Sequence, residues 1–370
     1  MQPESVVLYH VRMPLQHAFV TSTGGRQERD AIIVEVRDRD GFIGWGECVA
    51  GWEPRYSEET VHTAWSVLER FLIPILLERT WKHPRDFARA VAWVRGHPMA
   101  KAGLEMALWD LYGKHRNQSL KDLLGGVRNR VPVGVSIGIQ PTPEDLVKRV
   151  AHFVEQGYRR IKIKIRPGRD LGDVQAVRRA FPDLPLQVDA NAAYTLETAR
   201  ERLRALDDYN LLLIEQPLAH DDLWDHRALQ RELRTPLCLD ESIRHPRAAR
   251  QALEMGACRI INIKQGRVGG LSEAVAIHDV ARERGAPVWC GGMLETGIGR
   301  SANLALASLP GFTLPGDISA TERYYARDIT HQRFTLNEDG TITVPQGPGL
   351  GIQVDREALA HYTRFAQRWP

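Results

Sequence analysis

Short apolar runs alternate with amphipathic helical patterns along the middle of the chain. Strand-like runs lie near residues 131–139, 160–165, 186–189, 211–215, 236–240, 259–264, 287–291 and 312–316. Helical patterns fill the intervals near 143–156, 170–181, 195–207, 222–233, 245–255, 270–284 and 299–308. Eight strands with seven intervening helices predict an α/β fold, a (β/α)7β modified TIM barrel.

The first 125 residues follow a different pattern. Strands are predicted at 5–12, 30–38 and 41–49, and helices at 57–78, 84–95 and 99–115. Strands followed by a run of helices indicate a separate α+β unit. We therefore expect a capping domain over residues 1–125 and a catalytic barrel over 126–320. Residues 321–370 are expected to contain a loop and a helix that pack back on the cap.

Composition narrows the function classes. The chain has 49 basic and 46 acidic residues, a net charge of +3, which is no electrostatic footprint for nucleic acid. No apolar stretch approaches the roughly 18 residues of a membrane span, and the N-terminus lacks a signal-peptide pattern. The four cysteines are scattered without a CxxC pair, and for Cys238 and Cys290, which lie in strand-like runs, buried packing is favoured over a ligand or nucleophile role. A cytoplasmic enzyme without nucleic-acid or membrane partners is expected.

Five charged residues recur at nearly equal spacing: Lys164, Asp189, Glu215, Asp240 and Lys264. The steps between them are 25, 26, 25 and 24 residues, which is about one βα unit each. Each lies at or just past the end of a predicted strand. Since the C-terminal ends of barrel strands point to one mouth, where active sites form, the five charges are expected to converge.

Three carboxylates in register predict a divalent-metal site. Any one of Asp189, Glu215 and Asp240 could be a helix N-cap or an ion-pair partner. Together they form the hard oxygen donor set that Mg²⁺ prefers, with Mn²⁺ as an alternative. Asn191 and Glu241 follow two of these carboxylates and are candidate supporting residues, although both could be ordinary caps.

Two lysine positions predict acid–base chemistry. Lys162 and Lys164 alternate with isoleucines, which in isolation is typical of a solvated strand face; in a barrel the same face points inward. Neighbouring ammonium groups and burial favour a neutral lysine, which can act as a base. Lys264 lies across the predicted barrel, so the two lysines could remove and deliver a proton on opposite faces of one carbon. The metal would stabilise the resulting enediolate.

The motifs around these charges resemble a known family. They are KIK at 162–164, VDAN at 188–191, IEQP at 214–217, LDES at 239–242, INIK at 261–264 and CGGMLETGIG at 290–299. In this order they resemble the muconate-lactonising-enzyme subgroup of the enolase superfamily, and within it the o-succinylbenzoate synthases and N-succinyl- or N-acylamino acid racemases. The likeness covers nearly the whole chain.

The resemblance implies roles for individual residues. Lys164 would take the α-proton with Lys162 adjusting its basicity, and Lys264 would be the opposite acid–base group or a cation beside the enolate. Asp189, Glu215 and Asp240 would bind Mg²⁺. Four residues would line the substrate pocket: Ser136, Gly291, Met293 and Phe19. For Ser136, Met293 and Phe19 core packing is an equal alternative. Residues 19–25 would form a lid.

The resemblance leaves the reaction open. Synthase and racemase share proton abstraction from a small-molecule carboxylate, and we expect both activities, with menaquinone biosynthesis as the pathway of the synthase. Arg267, three residues after Lys264, would accompany racemase activity, or could be a surface residue. Dipeptide epimerases carry an Asp-x-Asp pair where this chain has PGDIS at 315–319, which disfavours that alternative. A non-catalytic barrel is a distant alternative, and a homo-oligomer is expected from the family's habit.

Overall fold

The computed structural model describes residues 1–370. The chain forms an antiparallel sheet with helices and a parallel barrel. The first sheet has the strand order β13-β1-β2-β3. Its strands are β1 (Pro3–Thr21), β2 (Gly24–Asp38), β3 (Ile43–Cys48) and β13 (Thr363–Trp369). The predicted strands at 5–12 and 30–38 are therefore parts of one long hairpin whose tip reaches toward the barrel.

Helices cover one face of this sheet. They are α1 (Val61–Val67), which continues through a π-helical turn at Leu68–Leu72 into α2 (Ile73–Leu77), then α3 (Pro84–Ala90) and α4 (Pro98–Arg116). The short helix α5 (Leu120–Leu124) follows and packs with the barrel core instead. Alternate residues of β2 point to opposite faces: Ile32 and Val34 pack against the helices, whereas Ala31 and Ile33 join the core shared with the barrel. The sheet is thus buried on both faces.

Close contact between β3 and α4 depends on glycine. A Cβ atom at Gly46 would lie 2.0 Å from the carbonyl oxygen of Gly103 on α4. Only the absence of a side chain lets helix and strand approach this closely. The GFIGWGEC segment therefore fixes α4 firmly against the sheet.

The barrel is a curled parallel sheet of seven strands in sequence order. Its strands are β5 (Val135–Ile137), β6 (Ile161–Lys164), β7 (Leu186–Asp189), β8 (Ile214–Glu215), β9 (Leu237–Leu239), β10 (Ile260–Ile263) and β11 (Val288–Cys290). Its helices are α6 (Pro143–Glu155), α7 (Leu171–Ala180), α8 (Leu196–Arg204), α9 (Leu223–Glu232), α10 (Pro246–Met255), α11 (Gln265–Val268), α12 (Leu271–Glu283) and α13 (Gly297–Ala307). This is the predicted alternation, with the short α11 added.

The predicted eighth strand is present only as isolated bridges. Phe312 bridges to Val288 and Gly316 to Val133, both in parallel orientation. The amide of Gly134 donates to the carbonyl of Gly316 at 2.7 Å, and that of Asp317 to the carbonyl of Cys290 at 2.8 Å. The segment closes the barrel between β5 and β11, although prolines and glycines interrupt a regular ladder.

The C-terminal segment returns to the first sheet. After β12 (Thr341–Thr343), which pairs with β4 (Arg130–Pro132), the chain forms α14 (Arg356–Tyr362) and then β13. Strand β13 pairs with β1 in antiparallel orientation, with Val6 opposite Trp369. The sequence predicted a helix here but not the strand. The division at residues 125 and 320 stays a prediction.

Two glutamates of the first unit lie at the N-termini of barrel helices. Glu47 of β3 accepts hydrogen bonds from the backbone amides of Thr296 and Gly299 at the start of α13, at 3.2 and 2.9 Å. Glu105 of α4 accepts from the amide of Ser272 at the start of α12, at 3.3 Å. Each carboxyl group accepts hydrogen bonds from amides that a helix start leaves unpaired, and so links the first unit to the barrel.

All four cysteines are buried and unpaired, which confirms the burial predicted for Cys238 and Cys290. No helix has both the length and the apolar composition needed to cross a bilayer.

Candidate active site

The five charges lie in register at the strand ends. Lys164, Asp189 and Glu215 are the last residues of β6, β7 and β8, and Asp240 and Lys264 directly follow β9 and β10. Lys164 pairs with Asp189, and Asp189 with Glu215, across the parallel ladder. None of the five is more than 7% exposed. The spacing of the charges in the sequence is thus converted into one buried cluster at the barrel mouth.

Lys164 is held on one side of this cluster. Its Nζ donates to Asp189 Oδ2 at 2.6 Å and to Asn191 Oδ1 at 2.7 Å. Asn191 adopts a left-handed backbone conformation with φ of 44°, and its own amide donates to Asp189 Oδ1 at 3.0 Å. Asn191 therefore orients both the lysine and the carboxylate, which supports the predicted secondary role.

Lys162 lies deeper in the barrel, surrounded by carboxylates. Its Nζ is 2.6 Å from Asp317 Oδ2, 3.0 Å from Glu215 Oε2 and 3.1 Å from Asp189 Oδ2. Burial disfavours its charge, but Asp317, followed by the other two carboxylates, outweighs burial and raises the pKa of Lys162 well above its ordinary value. The three carboxylates therefore favour the charged form of Lys162, contrary to the expectation that burial and neighbouring ammonium groups favour a neutral lysine.

Lys264 is held on the opposite side. Its Nζ donates to Asp240 Oδ2 at 2.7 Å and to the hydroxyl of Tyr56 at 3.1 Å. Its ammonium also lies 4.6 Å from the centre of the Tyr56 ring. Burial opposes the charge, yet Asp240 outweighs it and raises the pKa of Lys264 in this arrangement. Each lysine is thus paired with its own aspartate, Lys164 with Asp189 and Lys264 with Asp240.

Arg267 is buried and belongs to the cluster, so its interpretation as a surface residue is wrong. Its Nη1 donates to Asp240 Oδ1, while its Nε and Nη2 donate to the carbonyls of Ile243 at 2.9 Å and Asn262 at 2.6 Å. Only 4% of the side chain is exposed. Arg267 shares Asp240 with Lys264 and fixes the position of that carboxylate.

The donor chemistry of the three carboxylates fits a divalent cation. Burial, and after it the charge of Asp189, raises the pKa of Glu215 to about 8, so the ionised carboxylate would gain from a nearby cation. Two buried acceptor atoms nearby, Glu241 Oε2 and Asn262 Oδ1, have no hydrogen-bond partner. No set of oxygens, one from each of Asp189, Glu215 and Asp240, lies within 4.8 Å of one another. Lys164 and Lys264 instead occupy one oxygen each of Asp189 and Asp240.

Glu241 lies at the edge of the cluster. Its Oε1 accepts a hydrogen bond of 3.0 Å from Asn191 Nδ2. Burial, followed by the charges of Asp240 and Asp189, raises its pKa to about 7. Glu241 is thereby linked to Lys164 through Asn191, so neither residue is an isolated helix cap.

A cavity of about 330 Å³ opens over the charges. Ser136, Met293 and Phe19, all predicted for the substrate pocket, line it together with Lys162, Lys164 and Lys264. The hydroxyl oxygen of Ser136 is buried without a partner, and Ser136 lies on β5 beside Lys162. Ser136 and Phe19 therefore lie in the pocket wall, and Met293 does so while also packing against the core of the first unit.

Gly291 was predicted for the pocket wall, but its neighbour Gly292 lines the cavity instead, and Gly291 lies against Lys264. A Cβ atom at this position would lie 2.3 Å from Asn262 Oδ1 and 2.6 Å from Lys264 Cε. A side chain at position 291 would displace the lysine, so the glycine is needed for the position of Lys264.

The predicted lid is the tip of the β1–β2 hairpin. Phe19, Val20 and Thr21 pair with residues 24–26, leaving Ser22 and Thr23 as the turn. The amide of Ile139 donates to the carbonyl of Val20 at 2.9 Å, and Ser22 Oγ lies 3.4 Å from the carbonyl oxygen of Asn191. The tip therefore rests on the barrel mouth.

A second acidic group lies far from this cavity. Oxygens of Asp38 and Asp40 and a nitrogen of His115 lie within 4.8 Å of one another. Asp38 is already used: its Oδ1 accepts from the amides of Asp40 and Phe42, both at 3.1 Å, and its Oδ2 contacts His115. These contacts form the β2–β3 turn, and the group is separate from the candidate active site.

Comparison with known proteins identifies the family. The mandelate racemase / muconate lactonizing enzyme N-terminal domain matches residues 4–125, and the enolase C-terminal domain-like family matches 145–358. The chain belongs to the enolase superfamily. It is 54% identical over 364 residues to an o-succinylbenzoate synthase of Geobacillus stearothermophilus, covering 98% of this chain and 96% of that protein.

Two further comparisons place the chain within the superfamily. It is 46% identical over 354 residues to an N-succinylamino acid racemase of Thermus thermophilus, covering 96% of this chain and 95% of that protein. A crystal structure of an enolase-superfamily member from Listeria innocua superposes with a TM-score of 0.95 at 41% identity, covering 100% of this chain and 99% of that one. The predicted family and fold class are confirmed.

Sequence reasoning missed several residues of this enolase-superfamily site. Tyr56 comes from the loop before α1, and Asp317 was noted only as a lone aspartate in the closing segment. Asn262, two residues before Lys264 on β10, donates to Glu215 Oε1 at 2.7 Å. The alternation of INIK could have identified Asn262, because residues two apart on a barrel strand point the same way.

Proposed function

We propose that this protein catalyses Mg²⁺-dependent removal of the proton α to a carboxylate, with both o-succinylbenzoate synthase and N-succinylamino acid racemase activity. The observation that carries the proposal is the arrangement of Lys164 and Lys264, each paired with a different aspartate at the barrel mouth. Both lysines line one cavity, so a substrate carbon between them would be accessible from two faces.

In racemisation, the neutral amine of one lysine would take the α-proton as the C–H bond breaks. The bonding electrons pass into the carboxylate as an enediolate, and the other lysine, protonated, returns a proton to the opposite face. In dehydration, Lys164 would remove the proton and then deliver one to the departing hydroxide, giving water. Lys264 would remain charged beside the enediolate.

Asp189, Glu215 and Asp240 would hold Mg²⁺, which is typical of the family, or Mn²⁺. When bound, the ion would stabilise the negative charge that develops on the substrate carboxylate. Lys162, a cation next to Lys164, would add to the positive charge that the ion supplies. Asn191 would keep Lys164 oriented when the lysine breaks its hydrogen bond to Asp189.

The arrangement at Asp317 disfavours the dipeptide epimerase alternative. Asp317 is bound by Lys162 at 2.6 Å and by Arg160 at 2.7 Å, so its carboxylate is already neutralised inside the barrel. A substrate amino group would have to compete with two buried cations for it.

The proposal is tested by incubating the purified protein with Mg²⁺ and N-succinyl-L-phenylalanine in D₂O. Loss of the α-proton signal by NMR, together with appearance of the D-enantiomer on chiral chromatography, is expected. Dehydration is followed separately with the synthase substrate by ultraviolet absorbance of the aromatic product. Absence of both reactions with Mg²⁺ or Mn²⁺ present would overturn the proposal. A homo-oligomeric, cytoplasmic enzyme is part of the same proposal, and light scattering tests the oligomer.

A further inference from the structure

Arg26 lies on the lid hairpin and lines both the active-site cavity and an adjoining polar groove that contains Glu53 and Asp30. It is paired with Phe19 across the β1–β2 ladder, and directly opposed residues share a face of the sheet. Both line the cavity that also contains Lys164 and Lys264. Arg26 is therefore at the lid side of the pocket, and the lysines are at the barrel side.

The guanidinium of Arg26 has no partner in the protein. It makes no hydrogen bond, and no carboxylate oxygen lies within 4.0 Å of its nitrogens, although most arginines of the pocket surroundings are paired. Burial, with the charges of Arg29 and Arg55, lowers the pKa of Arg26. A half-buried cation beside other cations is costly unless an anion binds to it.

The acidic residues closest to this position are already engaged. Glu53 forms an ion pair with Arg55. Asp30 accepts from His10 at 2.7 Å and from Arg12 at 2.9 Å. Arg55 also donates to the carbonyl of Thr23 at 3.2 Å, so of the two arginines lining the cavity only Arg26 is free.

The two candidate substrates share a chemical feature that fits this position. An N-succinylamino acid and a succinylbenzoate precursor each carry a second carboxylate, several bonds from the reacting carbon. The first carboxylate would be held among the charges at the barrel mouth. A free guanidinium at the other side of the pocket can bind the second one with two parallel hydrogen bonds.

We infer that Arg26 binds the remote carboxylate of the substrate and selects dicarboxylate substrates over N-acyl substrates that end in a neutral group. This inference rests on the proposed function, because it assumes that the reacting carboxylate lies near Lys164. Arg26 is a specificity-determining residue supplied by the lid, so binding of the second carboxylate would also hold the lid hairpin over the substrate.

The test compares N-succinyl-L-phenylalanine with its neutral isostere, the N-succinamyl derivative, in which an amide replaces the terminal carboxylate. Values of kcat/KM for α-proton exchange are measured by NMR in D₂O. The wild-type enzyme is expected to prefer the succinyl substrate by about tenfold or more, the size of effect that a charge-assisted hydrogen bond gives. In Arg26→Gln this ratio is expected to fall to within about threefold of one.

Two further variants keep the result interpretable. Arg26→Lys retains the charge without the planar fork and is expected to give an intermediate ratio. Arg39→Gln removes one positive charge from the exposed β2–β3 turn and is expected to keep the wild-type ratio. A wild-type ratio near one, or an unchanged ratio in Arg26→Gln, would overturn the inference while exchange itself upholds the proposed function. No exchange with either substrate would instead overturn the proposed function.

Discussion

The hydroxyl of Tyr56 donates a 3.0 Å hydrogen bond to Asp240 and accepts one of 3.1 Å from Lys264. Tyr56 comes from the segment before α1, whereas both partners lie at the ends of barrel strands. The capping segment therefore supplies part of the environment of one acid–base group. The barrel alone would not position Lys264 in this way.

Replacing Tyr56 tests this contribution. Tyr56→Phe keeps the ring over the ammonium but removes both hydrogen bonds, so racemisation is expected to slow by about tenfold. Exchange of the α-proton should slow more for one enantiomer than for the other, because Lys164 makes no hydrogen bond to Tyr56. NMR exchange rates of separate L and D substrates measure this. Tyr9→Phe is the matched control, since its hydroxyl bonds Glu35 in the cap sheet; equal loss in both variants would contradict the account.

A methyl group at position 291 should disturb Lys264 directly. Gly291→Ala places a carbon 2.6 Å from Lys264 Cε, closer than atoms can approach, so kcat for racemisation is expected to fall by at least about tenfold with the fold retained. Gly172→Ala in α7 is the control, because its Cβ would meet nothing within 4 Å. The free energy of unfolding of the control should be unchanged or higher by up to about 1 kcal/mol, because alanine favours the helix over glycine. Its melting temperature should therefore be equal to or above that of the wild type. Full activity of Gly291→Ala would show that Lys264 does not need its present position.

Removal of metal should abolish activity reversibly. EDTA is expected to stop proton exchange, and added Mg²⁺ or Mn²⁺ to restore it. Glu215→Gln should weaken Mg²⁺ binding measured by calorimetry by about tenfold or more, since it removes one charged ligand. Asp38→Asn removes a carboxylate of the other acidic group and should leave the affinity unchanged. Weaker Mg²⁺ binding in Asp38→Asn, with unchanged binding in Glu215→Gln, would place the functional metal on the cap.

The glutamate between cap and barrel predicts a pH dependence of stability. Burial raises the pKa of Glu105 to about 7 although amides at the start of α12 oppose this. Between an unfolded pKa of roughly 4.3 and this value the folded state binds more protons, so stability falls as pH rises through this range. The slope is at most about 1.4 kcal/mol per pH unit for one group. Melting temperatures from pH 5 to 8 should decline less steeply in Glu105→Gln than in the exposed control Glu78→Gln; identical slopes would contradict the assignment.

The barrel and its charges could be predicted because their signals are local. Each of Lys164, Asp189 and Glu215 ends a short apolar run, and parallel strands bring such ends to one mouth. The contacts of Tyr56 and Asp317 could not be predicted in this way. Tyr56 is 184 residues from its partner Asp240, and Asp317 is 155 residues from its partner Lys162. Nothing in the local pattern specifies which loop reaches the site.

The strand at the C-terminus shows a second reason why prediction from the sequence fails. The alternating segment TRFAQRW forms β13, but its identity as a strand depends on the open edge of β1, which is more than 350 residues earlier in the chain. For the closing segment 312–316 the prediction failed in the opposite direction. Its apolar content predicted a strand, whereas Pro315 and Gly316 interrupt the ladder and only isolated bridges form. In both cases tertiary context decides what the local pattern leaves open.

The most direct test of the two-base account is proton exchange by Lys164→Ala and Lys264→Ala with separate N-succinyl-L- and D-phenylalanine in D₂O. We expect neither variant to racemise, and each to retain exchange of the α-proton of one enantiomer only, a different one in each variant. Each remaining lysine would exchange the proton on its own face without inverting the carbon. Full racemisation by either variant, or loss of exchange of the same enantiomer in both, would contradict the placement of Lys164 and Lys264 on opposite faces of the substrate.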